Sequence, residues 1–333
     1  MAHEGYATTS DGVRLFYTRV GDGRPPLIVP NGFGLLQDLA GVQGGSEDVL
    51  GGSEDPPLRT LWRGGSEDPP LRTLLLGGSK QDPPLRTGSV PTVARSVVAF
   101  DTRNRGKSDR MTDESKLERG IHHEVDDIEA VRRHLGAETI DLLGHSYVGL
   151  VVVLYAMAHP GRVRRIVQIG SVPPDGRRSY PRMPEDERLV DQVLASIREL
   201  QANPPSSDPE ELCRSMWRML SAISVVDPDD ASKLAGWERC HLENERAAFS
   251  YVMRWIMPSV QRVALTSRDV RAVTMPVLTI HGNRDRSAPL ALARDWVRLL
   301  PNARLVTVPG AGHMPWIEAP RDVFDSIERF LRQ

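Results

Sequence analysis

The sequence predicts an α/β fold with a mostly parallel central sheet flanked by helices. Two observations lead to this prediction: short apolar runs of strand length recur along the chain, and segments with the apolar spacing of amphipathic helices separate them. This alternation is typical of parallel sheets, because each parallel strand needs a long crossover connection that covers one face of the sheet. The 333 residues are enough for one large domain with an insertion.

Seven segments have the pattern of strands. Residues 13–20 alternate as expected for a half-exposed strand. Six further runs are almost continuously apolar, which predicts strands buried on both faces: 27–30, 96–101, 139–144, 163–170, 276–282 and 303–310. Helical spacing covers the intervening segments 122–136, 146–161 and 289–301 and the last segment, 320–333.

Two segments interrupt the alternation. Residues 172–268 carry helical patterns and few strand patterns, which predicts a helical cap between two parts of an α/β core, residues 1–171 and 269–333. Residues 44–89 form a tandem repeat: a partial copy, 44–50, is followed by three copies, 51–63, 64–76 and 77–89, each of which begins with GGS and contains a PP pair. Such pairs break regular elements, so we expect a loosely ordered surface insertion, with a functional lid as the alternative.

Composition and charge exclude several classes of protein. The net charge of −2 and the lack of a basic stripe indicate no nucleic-acid partner, and no apolar run approaches the length that crosses a bilayer, so no membrane association is expected. The first residues lack a signal-peptide core, which favours a cytoplasmic enzyme. Cys213 and Cys240 lie in polar, helical patterns and are expected to be reduced thiols. The sequence has no metal cluster and no dinucleotide fingerprint, so no metal and no cofactor are expected, and the oligomeric state stays open.

The segment GHSYVG, residues 144–149, is a candidate nucleophile elbow. Such an elbow follows the pattern G-x-S-x-G, in which a serine lies in a sharp turn between a buried strand and a helix. Ser146 fits this position, but Val148 occupies the place of the second glycine and Gly149 follows one residue late. Ser146 is therefore a candidate nucleophile, and the alternative is a serine that caps the following helix.

A serine nucleophile needs a base and an acid that orients the base. Of the nine histidines, His313 lies in a Gly-flanked loop after the last strand, where parallel strands end at the same sheet edge as Ser146. Asp285 lies in the loop after the preceding strand, between Arg284 and Arg286. The chain order Ser, Asp, His is typical of hydrolases with a nucleophile elbow. His145, adjacent to Ser146, is expected to point away from it.

These motifs together resemble the α/β-hydrolase superfamily: NGFG (31–34), FDTRNRGKSD (100–109), GHSYVG, HGNRDRSAP (281–289) and GAGHMPWIEAP (310–320). The resemblance implies a catalytic triad of Ser146, His313 and Asp285, and a helical cap inserted after the sixth strand of the fold. It also implies an oxyanion hole formed by the main-chain N–H groups of Phe33 and Tyr147. Asn31 replaces the histidine usual in the family, which leaves those main-chain donors in place.

Within that superfamily, GHSYVGL and RCHLENERAAF (239–249) resemble the proline iminopeptidase-like branch. The resemblance implies that a cap glutamate, Glu243 or Glu245, binds the amino terminus of a substrate; the alternative is a solvated helix face. The oxyanion loop lacks the H-G-G-P-G of true iminopeptidases, which weakens prolyl specificity. Trp217 and Trp255 are expected to line an apolar substrate pocket or to form the core of the cap.

The expected function is that of a serine hydrolase that cleaves a small ester, amide or peptide bond through an acyl-enzyme. An aminopeptidase of the iminopeptidase type is one form of this expectation, and a carboxylesterase is another. A lyase that cleaves C–C bonds or cyanohydrins with the same triad is a further alternative. A ligand-binding receptor on a hydrolase scaffold belongs to another class, because a fold does not determine a function.

Overall fold

The computed structural model describes residues 2–32, 96–234 and 239–333. The expectations for the tandem repeat at 44–89 and for Phe33 concern residues outside these ranges, so they stay predictions. The elements that follow are those of the described residues.

A single sheet of eight strands runs through the described part of the chain in the order β1-β2-β4-β3-β5-β6-β7-β8. The β1–β2 and β2–β4 pairs are antiparallel, and every other pair is parallel, which confirms the predicted, mostly parallel sheet. The strands are β1 (Ala2–Thr8), β2 (Arg14–Val20), β3 (Leu27–Asn31), β4 (Val97–Asp101), β5 (Ile140–His145), β6 (Val163–Ile169), β7 (Val277–Gly282) and β8 (Ala303–Val308).

The four strands β3, β4, β5 and β7 are buried along their whole length, as their continuous apolar runs predict. The same prediction for residues 303–310 is wrong, because β8 is an edge strand in which only Val308 is buried. The opposite edge strand, β1, was not predicted. Its residues are mostly exposed, so its sequence lacks the apolar alternation that reveals a half-buried strand.

The helices lie on both faces of the sheet. Alternate strand residues pack on opposite sides: Ile28 and Leu142 belong to one apolar cluster, and Leu27 and Leu143 belong to another. Helices α2 and α3 contribute to the first cluster and α10 to the second. The helices of the core are α1 (Glu114–Leu117), α2 (Ile121–His134), α3 (Tyr147–Ala158), α8 (Leu290–Leu299), α9 (Pro315–Glu318) and α10 (Pro320–Arg332).

Between β6 and β7 the chain forms helices, which we call the cap: α4 (Pro184–Ala202), α5 (Pro209–Ser224), α6 (Glu243–Tyr251) and α7 (Met257–Arg262). A π-helical segment, Val252–Ile256, joins α6 to α7. Helices α4, α5 and α6 share their own apolar cluster, which includes Ile197, Met216 and Phe249. The helical patterns of residues 172–268 therefore correspond to helices that pack on one another as well as on the core.

The expectation that both cysteines are reduced thiols is wrong. Cys213 in α5 forms a disulfide with Cys240, which lies 27 residues further along, and the two Cα atoms are 5.7 Å apart. Both residues are buried. The sequence pattern around each cysteine gives its local structure, but it does not show that the chain turns back between α5 and α6 and brings the two together.

Within residues 2–32, 96–234 and 239–333, none of the helices is both long enough and apolar enough to cross a membrane.

Candidate active site

Ser146 lies in the turn between β5 and α3, at the carboxyl end of a central strand. Its backbone has φ 55° and ψ −127°, a conformation that non-glycine residues rarely adopt. The turn is held by main-chain hydrogen bonds: Ser146 N–H donates to the oxygen of Ile169, and the N–H groups of Gly149 and Val172 donate to the oxygen of Ser146. A strained serine between a buried strand and a helix has the geometry of a nucleophile elbow.

Two glycines lie against Val148: Gly144 contacts its main chain and Gly32 contacts its side chain. At Gly144, a Cβ atom would lie 2.5 Å from the oxygen of Val148, so the strand and the helix approach too closely for any side chain there. At Gly32, which follows β3, a Cβ atom would lie 2.8 Å from Cγ2 of Val148. Gly32 is therefore the small neighbour that makes room for the valine at the position where an elbow usually has its second glycine.

The structure brings Asp285 and His313 into direct contact. His313 Nδ1 lies 2.8 Å from Oδ2 of Asp285, whose side chain is fully buried. A carboxylate only accepts, so His313 carries its proton on Nδ1, and Nε2 is left able to take a proton from a nucleophile. The other carboxylate oxygen of Asp285 accepts a hydrogen bond of 2.7 Å from the N–H of Ala288, which fixes the carboxylate plane.

Two further histidines surround this pair. His145 is buried, its ring centroid lies 4.6 Å from that of His313, and its Nε2 donates to the main-chain oxygen of His313 over 3.1 Å. His281 Nε2 donates to the oxygen of Ala288 over 2.6 Å and lies 3.5 Å from Asp285 Oδ2. Burial lowers the pKa of both imidazoles, so both are neutral donors at neutral pH.

The sequence motifs predict no role for either histidine. For His281 a signal existed, because it lies near the end of the strand that leads into the Asp285 loop, four residues before the acid. The contact of His145 with His313 joins two residues that are 168 positions apart, and no pattern in the sequence reveals it.

Tyr147 begins helix α3, so its main-chain N–H lies in the first turn of the helix, directly after Ser146. Its side chain is buried, and its hydroxyl donates to Oε1 of Glu124 over 3.1 Å. Burial, together with the nearby charge of Asp127, raises the pKa of Glu124 to about 7. A Cβ atom on Gly32 would lie 2.5 Å from the Tyr147 hydroxyl, so the tyrosine side chain also packs directly against Gly32.

A cavity of about 510 Å³ opens beside Ser146 and His313, and both residues line it. Its volume is that of a small-molecule site. The core contributes His145, Tyr147 and Met314 to its wall, and the cap contributes mainly apolar side chains: Leu194, Trp217, Leu220, Ile223, Phe249 and Val252. Trp217 lines this cavity and is also a buried member of the second apolar cluster, which includes Leu27.

The other candidate substrate residues lie away from this cavity. Glu245 is buried beneath the loop after β4, where its Oε1 accepts from the N–H of Gly106 over 3.0 Å. Glu243 is exposed and pairs with Arg110 at 2.7 Å. Trp255 lines a separate, smaller cavity. The structure therefore brings neither glutamate to Ser146.

The described residues contain no group of three or more His, Cys, Asp or Glu side chains that could hold a metal ion.

Residues 84–320, more than half of the chain, match the model of the family described as the alpha/beta hydrolase fold. The chain belongs to this α/β-hydrolase family. Membership agrees with the sheet order, with the helices on both faces and with the elbow that follows β5.

Relatives within the α/β-hydrolase family carry different names. A 2-hydroxymuconate semialdehyde hydrolase of Pseudomonas putida is 26% identical over 248 residues, covering 72% of this chain and 78% of the relative. A probable proline iminopeptidase of Leptolyngbya boryana is 24% identical over 287 residues, covering 74% and 84%. Among solved structures, an esterase from Exiguobacterium antarcticum superposes with a TM-score of 0.66 at 14% identity, covering 99% of this chain and 100% of the esterase, and at this identity it shows the fold alone.

Proposed function

We propose that this α/β hydrolase is a serine hydrolase of small, uncharged carboxylic esters. The observation that carries the proposal is the hydrogen bond between His313 Nδ1 and Asp285 Oδ2, because His313 and Ser146 both line the same cavity. A strained serine, a correctly protonated imidazole and a buried carboxylate are the groups that acyl transfer to water requires.

In the proposed reaction, Ser146 Oγ attacks the ester carbonyl carbon while His313 Nε2 takes the hydroxyl proton. Asp285 holds the imidazole in its tautomer and stabilises the imidazolium that forms. The Tyr147 N–H donates to the oxyanion of the tetrahedral intermediate, a contribution worth about 3 kcal/mol per donor in other hydrolases. His313 then returns the proton to the departing alcohol, and a water molecule, activated by the same imidazole, hydrolyses the acyl-enzyme.

The cavity favours an uncharged acyl group over a substrate with a free amine. None of the described residues that line it is acidic. The two charged lining residues are arginines that already have partners: Arg178 pairs with Asp295 at 2.6 Å, and Arg182 donates to two main-chain oxygens. A free ammonium group would therefore lose its hydration without gaining a carboxylate, which argues against the aminopeptidase alternative.

Two measurements test this proposal. A serine-directed fluorophosphonate should label the wild-type protein and should leave the folded Ser146→Ala variant unlabelled. A series of p-nitrophenyl esters should be hydrolysed by the wild type, whereas prolyl and other aminoacyl nitroanilides should not. Turnover that persists in Ser146→Ala, or nitroanilide hydrolysis that exceeds ester hydrolysis, contradicts the proposal.

A further inference from the structure

The carboxyl end of helix α5 accepts hydrogen bonds from the two loops that carry Asp285 and His313. The last main-chain oxygen that accepts within this helix is that of Ser221, so the next three must find partners outside it. Ala222 O accepts from Arg286 Nη1 over 3.1 Å, and Ile223 O accepts from Ser287 Oγ over 2.9 Å. Ser224 O accepts from the N–H of Met314 over 3.2 Å. All three donors belong to residues within two positions of Asp285 or His313.

Arg286 is the centre of this contact. Besides Ala222, its Nη1 donates to Val225 O over 3.2 Å, and its Nε lies 3.3 Å from Oδ1 of Asp186 in the first turn of α4. A guanidinium at the carboxyl end of α5 also meets the negative end of the helix dipole. One side chain next to the proposed catalytic acid thus joins two cap helices.

A second arginine makes the reverse contact. Arg182, just before α4, donates from Nε to the main-chain oxygen of Arg286 and from Nη2 to that of Ser287, each over 2.9 Å. Arg286, in the loop after β7, therefore donates to main-chain oxygens at the end of α5, and Arg182, in the cap, donates to main-chain oxygens of the loop after β7. We call Arg182 and Arg286 the arginine clamp. The carboxylate of Asp186 partly neutralises the charge of Arg286.

The clamp holds the helix that forms one wall of the cavity. Helix α5 contributes Trp217, Leu220, Ile223 and Ser224 to the lining, and Ile223 and Ser224 accept hydrogen bonds from the catalytic loops. A shift of α5 by about 1 Å would move this wall relative to Ser146, and misplacement on that scale can lower a rate by up to about a hundredfold.

We propose that Arg286 is a positioning residue that sets the distance between the α5 wall of the cavity and the proposed triad, and thereby the acyl length that the enzyme accepts. This inference rests on the proposed function. Arg286 does not itself line the cavity, whereas Arg182 does, so Arg286 is the residue to change.

The variant Arg286→Met keeps the length of the side chain and removes the guanidinium. The matched control is Arg284→Met. Arg284 flanks Asp285 on the other side and is exposed, and its hydrogen bond among the described residues is from its main-chain N–H to Ala311 O. Arg286→Lys is a milder change if the methionine variant does not fold. Lysine keeps the charge but has one nitrogen, whereas the guanidinium of Arg286 contacts α5 through Nη1 and Asp186 through Nε. The effects of the lysine variant should be in the same direction and smaller.

Two readouts are needed. Hydrogen–deuterium exchange of a peptide covering residues 219–226 should become at least about tenfold faster in Arg286→Met and stay at the wild-type rate in Arg284→Met. The value of kcat/KM for p-nitrophenyl hexanoate should fall by roughly tenfold or more. That for p-nitrophenyl acetate, whose acyl group presents only a methyl group to the cavity wall, should fall by less than about twofold.

Each outcome decides the question. Wild-type exchange in Arg286→Met would show that the clamp does not hold α5. Faster exchange with an unchanged ratio of hexanoate to acetate hydrolysis would show that α5 is held but does not set the acyl length; both results overturn the inference. If the wild type hydrolyses no ester at all, the proposed function fails and the inference on acyl length fails with it, while the exchange data still report whether the clamp exists.

Discussion

His145 Nε2 donates a hydrogen bond of 3.1 Å to the main-chain oxygen of His313, and the two rings lie 4.6 Å apart. The residue before the candidate nucleophile thus holds the backbone of the candidate base. Trp316 packs edge-on against the His145 ring, with the ring centroids 4.7 Å apart. The hydrogen bond from His145 therefore joins the turn that carries Ser146 directly to the loop that carries His313.

We expect His145→Phe to lower kcat for ester hydrolysis by about five- to tenfold with little change in KM. Phenylalanine keeps the ring packing but loses the donor, and one such hydrogen bond contributes roughly 1 kcal/mol. The measurement is steady-state kinetics on a protein whose fold is checked by circular dichroism. His159→Phe, beyond the far end of α3, is the matched control and should retain wild-type kinetics. An unchanged kcat in folded His145→Phe would show that the bond to His313 does not position the base.

The free energy of unfolding should decrease as pH rises from about 4.5 to 7, because the buried carboxyl of Glu124 titrates differently in the folded and unfolded protein. Its folded pKa is raised to about 7, whereas the unfolded carboxyl titrates near 4.5. Between these values the folded state holds a proton that the unfolded chain has released, so rising pH favours unfolding, by up to about 3 kcal/mol in total. Below pH 4.5 both states are protonated and the stability that comes from the neutral carboxyl is fully present.

Urea denaturation at several pH values checks this prediction. The free energy of unfolding of the wild type, minus that of Glu124→Gln, should decrease as pH rises through this window, because glutamine does not titrate. Glu243→Gln serves as the control, since that side chain is 74% exposed and should give a profile parallel to the wild type. A constant difference between wild type and Glu124→Gln across pH 4.5 to 7 would contradict the raised pKa.

The central strands and the loops that carry Asp285 and His313 could be predicted from the sequence, because local patterns determine them. Continuous apolar runs predict central strands because both faces of such strands are covered, and loops after those strands meet at one edge. Asp285 and His313 come together for this reason. The cap glutamates show the limit of the same reasoning: helical spacing places Glu243 and Glu245 on one helix but does not tell which core loop that helix covers. The disulfide and the clamp depend on the packing of segments distant in sequence, which no local pattern encodes.

Gly32→Ala should destabilise the protein by about 1–3 kcal/mol, because the added methyl group would lie 2.5 Å from the Tyr147 hydroxyl and 2.8 Å from Val148 Cγ2. Val148→Ala in the same protein should recover part of this loss, since it removes one of the two contacts. Denaturation of the two single variants and the double variant gives the coupling energy. Gly161→Ala, where a Cβ atom would meet nothing within 4 Å, is the control. Strictly additive effects would mean that Gly32 does not accommodate Val148.

Because Cys213 and Cys240 form a disulfide, both cysteines should be unreactive toward thiol reagents in the isolated protein. The sequence contains two cysteines, so a thiol titration in denaturant should find none without reductant and two after reduction. Replacing both by alanine should lower the free energy of unfolding by about 3–4 kcal/mol, the loop-closure contribution of a bridge spanning 27 residues. Since Cys213 lies in α5, which also lines the cavity, the loss should appear as faster exchange in the cap before global unfolding. Two reactive thiols in protein purified under oxidising conditions would show instead that the cysteines are reduced, as their sequence surroundings suggest.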